Sequence, residues 1–153
     1  MPKILVSYYS LTGNTEKMAK AIAEGLKSIS GIDVELNDLI PAEALNDFDA
    51  IVLGAPTYHH NIPDKVKTYL EAVAVKKINL KGKVGAAFGS HGWSGEAPTL
   101  ILEVMKNRFE MQIVEPPLIL LSTYPPDPNG LEKRCQDFAQ KIAVMFPSIQ
   151  KVI

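Results

Sequence analysis

At 153 residues, with 46% hydrophobic and 22% charged side chains, the chain has the length and make-up of one folded domain with a sizeable core, residues 1–153, and no stretch biased towards disorder. Sixteen basic against seventeen acidic residues leave a formal charge of −1, which argues against a general nucleic-acid binder. The single cysteine, Cys135, excludes an internal disulfide, the N-terminus lacks the pattern of a signal peptide, and no apolar run nears the roughly 18 residues that span a bilayer; a cytoplasmic protein away from membranes is expected.

Residues 3–9 (KILVSYY) predict a first strand, and 14–29 predict a helix with Met18, Ile22, Leu26 and Ile29 on one face, ended near Gly31. The alternation at 32–39 predicts a strand towards a sheet edge, 39–48 a short helix or a loop, and the unbroken apolar run 50–56 a central strand covered on both faces. Pro63 and Asp64 open a second helix with Val66, Leu70 and Val73 inward. A buried strand follows at 83–89, its small residues suggesting close approach of backbone or ligand. A third helix from Pro98 turns Leu100, Ile101, Val104 and Met105 inward. Residues 117–122 predict a fifth strand. The last helix carries Leu131, Cys135, Phe138, Ile142 and Met145 as its stripe, with Cys135 as core.

Five strands alternating with four helices predict an α/β fold, a doubly wound parallel sheet with helices on both faces. In such sheets ligands bind beyond the carboxyl ends of the strands. Three polar or glycine-rich segments leave strands at that edge: SLTGNT (10–15), APTYHHN (55–61) and SHGWSGE (90–96).

In the first, Gly13 allows a backbone conformation closed to most residues, the helix start presents N–H donors, and Ser10, Thr12, Asn14 and Thr15 add short polar side chains suited to an anion. No lysine lies in the segment, which separates it from the nucleoside-triphosphatase loop. A plain connection, with Thr12 capping a helix and Gly13 turning the chain, is the other reading of these six residues.

The pattern Ser10-x-Thr12-Gly13-x-Thr15 after a first strand resembles the phosphate-binding signature of the flavodoxin family, and Gly54–Tyr58 and Gly89–Gly95 stand where that family has its two flavin-ring loops. Within the family, GKVGAAFGSHGWSGEA looks most like the flavodoxin domain of flavodiiron proteins. The resemblance covers essentially the whole chain. It implies a five-stranded sheet in the order 2-1-3-4-5 and bound FMN. Its phosphate would be taken by Ser10, Leu11, Thr12, Gly13, Asn14 and Thr15. Pro56, Thr57, Tyr58, His59, His60 and Asn61 would line one side of the ring, and Ser90, His91, Gly92, Trp93, Ser94 and Gly95 the other. A flat ring with a polar edge suits an aromatic face beside glycine-rich backbone, and Trp93 is the only tryptophan.

All three histidines fall in the ring loops, but adjacent histidines without a carboxylate at ligand spacing make no metal site, and none is expected. The near-neutral charge and these histidines predict a flavin potential less negative than in strongly acidic flavodoxins. YPPDPNG (124–130) reads as a stiff linker with Asn129–Gly130 as a turn, or as a loop that meets flavin or partner. The leading function is an electron carrier between redox protein partners. A small FMN-dependent NAD(P)H or quinone reductase, and a phosphate-binding module without flavin, are the alternatives. No catalytic residue is assigned, and the oligomeric state stays open.

Overall fold

The computed structural model describes residues 1–10, 13–91, 95–121 and 128–147. Along these run β1 (Lys3–Tyr8), α1 (Asn14–Lys27), β2 (Asp33–Asp38), a 3-10 helix (Ala42–Asp47), β3 (Ala50–Gly54), α2 (Asp64–Val75), β4 (Val84–His91), α3 (Glu96–Asn107), β5 (Gln112–Ile113), β6 (Leu118–Leu121) and α4 (Pro128–Ala143). All pairings are parallel, in the order β2-β1-β3-β4-β5, with β6 also on β4. The fold is the doubly wound α/β sheet expected, in the expected order.

The fifth strand position differs from its prediction. It is split, with β5 beside Val84 and Gly85 and β6 beside Phe88–His91. Pro116 and Pro117 fall in the break, and proline has no N–H to give to a ladder.

Along β1 the side chains alternate between two cores. Ile4 and Val6 join Met18, Ile22 and Leu26 of α1 and Phe138 and Ile142 of α4. Leu5 joins Leu45 of the 3-10 helix, Val66 and Leu70 of α2, and Ile101 and Met105 of α3. The central strand β3 is buried along its length, as its continuous apolar run predicts. Edge strand β2 alternates exposed and half-buried.

Four boundaries move. Helix α1 ends at Lys27, leaving Ile29 buried in the turn before Gly31. The region 39–48 resolves as the 3-10 helix. Helix α3 begins two residues before Pro98, at Glu96; Ala97, Pro98, Ile101, Leu102 and Met105 are buried, while Leu100 and Val104 flank the core. Asn129 and Gly130 lie in the first turn of α4 instead of forming a separate turn.

The small residues of the β3–β4 pair serve backbone approach. A Cβ at Gly54 would strike the Phe88 ring, and one at Gly89 would strike the Ala55 carbonyl. Among the described residues no helix is long and apolar enough to cross a membrane.

Candidate functional site

Strands β1, β3 and β4 are neighbours, so the segments that leave their carboxyl ends share one edge. Helix α1 packs on one face of the sheet and α2 on the other, which opens a crevice where β1 and β3 part.

Gly13 enters α1 with φ of 90°, the left-handed region that glycine adopts freely. Its N–H donates to Ser10 Oγ at 3.0 Å, folding the loop back on itself. Among the described residues a Cβ at Gly13 would meet nothing within 4 Å, and this position is the positive end of the helix dipole. The observed N-cap is Gly13, with no side-chain cap hydrogen bond; Leu11 and Thr12, the capping alternative included, lie outside the described residues. Thr15 is turned inward and 1% exposed, and its Oγ1 lies 2.9 Å from Ser90 Oγ at the end of β4.

The second segment is a tight hairpin. Tyr58 and Asn61 exchange backbone hydrogen bonds of 3.0 and 2.9 Å, and the two residues between them, His59 and His60, have φ of 51° and 62°. Two consecutive left-handed residues make a type I′ turn, and histidine tolerates that region better than most side chains. Asn61 Oδ1 accepts the Ile62 N–H at 2.8 Å, closing the hairpin's far side. Pro56 is buried, Thr57 and Tyr58 half-buried, and His59, His60 and Asn61 exposed. Burial, with Tyr9 adding to it, pushes the Tyr58 phenol above its ordinary value of 10.0, so it stays a neutral hydroxyl at physiological pH.

This hairpin is tied to the third segment. Thr57 Oγ1 accepts the Ala97 N–H at 3.0 Å, so the second loop caps α3. His60 Nδ1 stands 3.2 Å from Glu96 Oε1. The sequence places Glu96 at the end of the third segment, but neither its contact with His60 nor the capping role of Thr57 was among the expectations; the signal available was a glutamate just after Gly95 at a helix start.

In the third segment Ser90 and His91 close β4, and Gly92, Trp93 and Ser94 lie outside the described residues. A Cβ at Gly95 would meet Ile119 Cγ2 at 2.5 Å, so this glycine lets α3 start against β6. His91 Nδ1 is buried with no hydrogen-bond partner among the described residues. Beside it opens a cavity of about 420 Å³, lined by His91, Gly95, Glu96, Thr99, Leu100 and Ile119.

The donor set fits FMN. The helix start at Gly13 with the Ser10 hydroxyl beside it suits an anion, and His91 Nδ1, without a partner among the described residues, and the half-buried Tyr58 are group types that suit a flat heterocycle with a polar edge. Among the described residues no group of three His, Cys, Asp or Glu side chains is placed to hold a metal.

A family model described as a flavodoxin domain matches residues 5–114. The flavodoxin of Clostridium beijerinckii is 34% identical over 143 residues, 90% of this chain and 97% of its own. The type A flavoprotein fprA of Rhodobacter capsulatus is 38% identical over 122 residues, 75% of this chain but 27% of that longer protein. Among solved structures, a flavodoxin from the domain Archaea is 35% identical with a TM-score of 0.77, covering 92% of this chain and 98% of its own. The flavodiiron protein from Giardia intestinalis, at 21% identity, shares the fold with a TM-score of 0.76 over 93% of this chain and 36% of its own.

Proposed function

The chain belongs to the flavodoxin family and is an FMN-binding electron-transfer protein, and we propose that residues 10–15 hold the FMN phosphate while 56–61 and 90–95 flank its ring. Flavodoxin is itself the standard illustration of ligand binding at the β1/β3 switch point, so the general placement is a family property. The observation that carries the residue assignment is the convergence of the three segments on one edge, tied by Thr15–Ser90 and Thr57–Ala97.

When bound, FMN supplies a ring that accepts and releases electrons. The chain's part is to grip and orient. The Ser10 hydroxyl and the first turn of α1 meet the phosphate without a lysine, as suits a group that is held and never transferred. The Tyr58–Asn61 hairpin presents one wall, and Ser90, His91 and Gly95 contribute to the other. Fixed dipoles at that rim limit reorganisation as charge arrives.

The reading is of one flavodoxin-like unit over residues 1–153, working as an oxidoreductase in the cytoplasm and exchanging electrons with redox proteins. The buried free thiol of Cys135 supports a reducing compartment. The cavity beside His91 favours a second reading, a reductase that admits a small apolar substrate such as a quinone. Stopped-flow mixing of the FMN-loaded protein with NADPH separates them. A carrier is reduced slowly or not at all, and fast direct reduction establishes the reductase. For the phosphate assignment, Ser10→Ala weakens FMN binding and leaves riboflavin binding unchanged; equal loss of both would contradict it.

A further inference from the structure

Two contacts join the second and third segments among the described residues, and they differ in kind. At the base of the hairpin, Thr57 Oγ1 accepts the Ala97 N–H at 3.0 Å in a half-buried setting. At its tip, His60 Nδ1 stands 3.2 Å from Glu96 Oε1, and the two side chains are 65% and 42% exposed. The first contact is shielded; the second lies in water.

We propose that His60 and Glu96 form a clasp between the two ring loops, which holds them together on either side of the bound flavin and sets how fast FMN leaves. The inference rests on the reading that residues 56–61 and 90–95 flank the ring.

Glu96 is the fixed half. It is the first residue of α3, where the helix dipole favours a carboxylate. Gly95 before it sits so close to β6 that a Cβ would meet Ile119 Cγ2 at 2.5 Å, which seats the helix start on the sheet. The hairpin is the half that swings. A wall held only at Thr57 turns about that point, and a second contact three residues on, at His60, fixes its direction.

The backbone brings His60 to this place. Its φ of 62°, after 51° at His59, is a conformation that L side chains adopt at a cost, and the Tyr58–Asn61 backbone hydrogen bonds hold it there. A carboxylate only accepts hydrogen bonds, so the contact needs a proton on Nδ1, which one neutral tautomer and the imidazolium both carry. Because both side chains reach water, the clasp opens and closes without disturbing either core. An exposed pair of this kind shifts an equilibrium by a factor of a few, a size that tunes cofactor release and leaves the fold alone.

The test is the rate at which FMN leaves the loaded protein after dilution, followed by flavin fluorescence, in the parent chain, His60→Ala, Glu96→Ala, the double variant and Glu96→Gln. Each alanine variant is expected to release FMN about threefold faster, and the double variant about as fast as either single one. Glu96→Gln keeps an acceptor and should stay close to the parent, which a role resting on the charge or on helix stability alone would not give. Release at the parent's rate in both alanine variants, effects that multiply in the double variant, or equal losses in Glu96→Gln and Glu96→Ala would overturn the proposal and leave the functional reading standing. Failure of the parent chain to bind FMN removes both.

Discussion

Thr15 Oγ1 and Ser90 Oγ lie 2.9 Å apart in the interior, joining the start of α1 to the end of β4 across the strand between them. Both hydroxyls are buried, so each is the other's substitute for water.

Removing one member leaves the other unsatisfied. Thr15→Val or Ser90→Ala alone is expected to destabilise by about 1–3 kcal/mol, and the double variant by clearly less than the sum. Urea unfolding of the three variants measures the coupling. Additive losses would mean that the pair does not act as a unit.

Thr57 caps a helix to which it does not belong. Thr57→Val removes the acceptor of the Ala97 N–H, at an expected loss of about 1 kcal/mol, and hydrogen exchange at the start of α3 should quicken while that of α1 does not. Unchanged exchange at Ala97 would contradict the contact.

Two acids shielded from water, Tyr69 and Cys135, link stability to alkaline pH. Burial, with Glu43 a lesser cause, pushes the Tyr69 phenol from 10.0 up to about 12, and burial pushes the Cys135 thiol from 9.0 up to about 12. The fold holds both protons more tightly than the unfolded chain does. Their contribution is therefore whole below about pH 9 and is lost as pH climbs to about 12. Tyr69 Oη is also buried without a hydrogen-bond partner among the described residues. Tyr69→Phe should match or exceed the parent's stability at pH 7 and soften the fall in melting temperature above pH 10. A steeper fall in the variant would contradict the assignment. Cys135 should likewise resist alkylation at pH 8 until the chain unfolds.

Gly89 tests the packing beneath the site. A Cβ there meets the Ala55 carbonyl and Pro98, neither of which has a flexible end to move aside. Gly89→Ala should destabilise by about 1–3 kcal/mol or more, whereas Gly82→Ala, in open space on the opposite end of β4, should be far milder and limited to the strain of its φ of 80°. Comparable losses at the two positions would contradict the packing.

Much of this fold is legible in local pattern. The unbroken run at Ala50–Gly54 and the stripe of Cys135, Phe138 and Ile142 sit where hydrophobic period places them, because period depends only on which neighbours share a face. The register of α3 escaped because its start is set by Thr57, forty residues upstream, and by Glu96; moving the start two residues puts Leu102 inward and leaves Leu100 and Val104 at the rim. The divided fifth strand escaped because Val114, which continues the ladder to the Gly85 carbonyl, is cut off from the apolar run by two prolines. Of the candidate site, the three segments and the left-handed Gly13 were readable. The inward turn of Thr15 and the His59–His60 turn were not, since each depends on a contact made only after the sheet has formed.

The most direct test of the account is titration of the flavin-free protein with FMN while following the fluorescence of Trp93, the chain's one tryptophan. The account predicts saturable quenching at one FMN per chain, binding far tighter than for riboflavin, and a yellow protein that releases FMN on denaturation. A chain that leaves Trp93 fluorescence unchanged and stays colourless in excess FMN would contradict it.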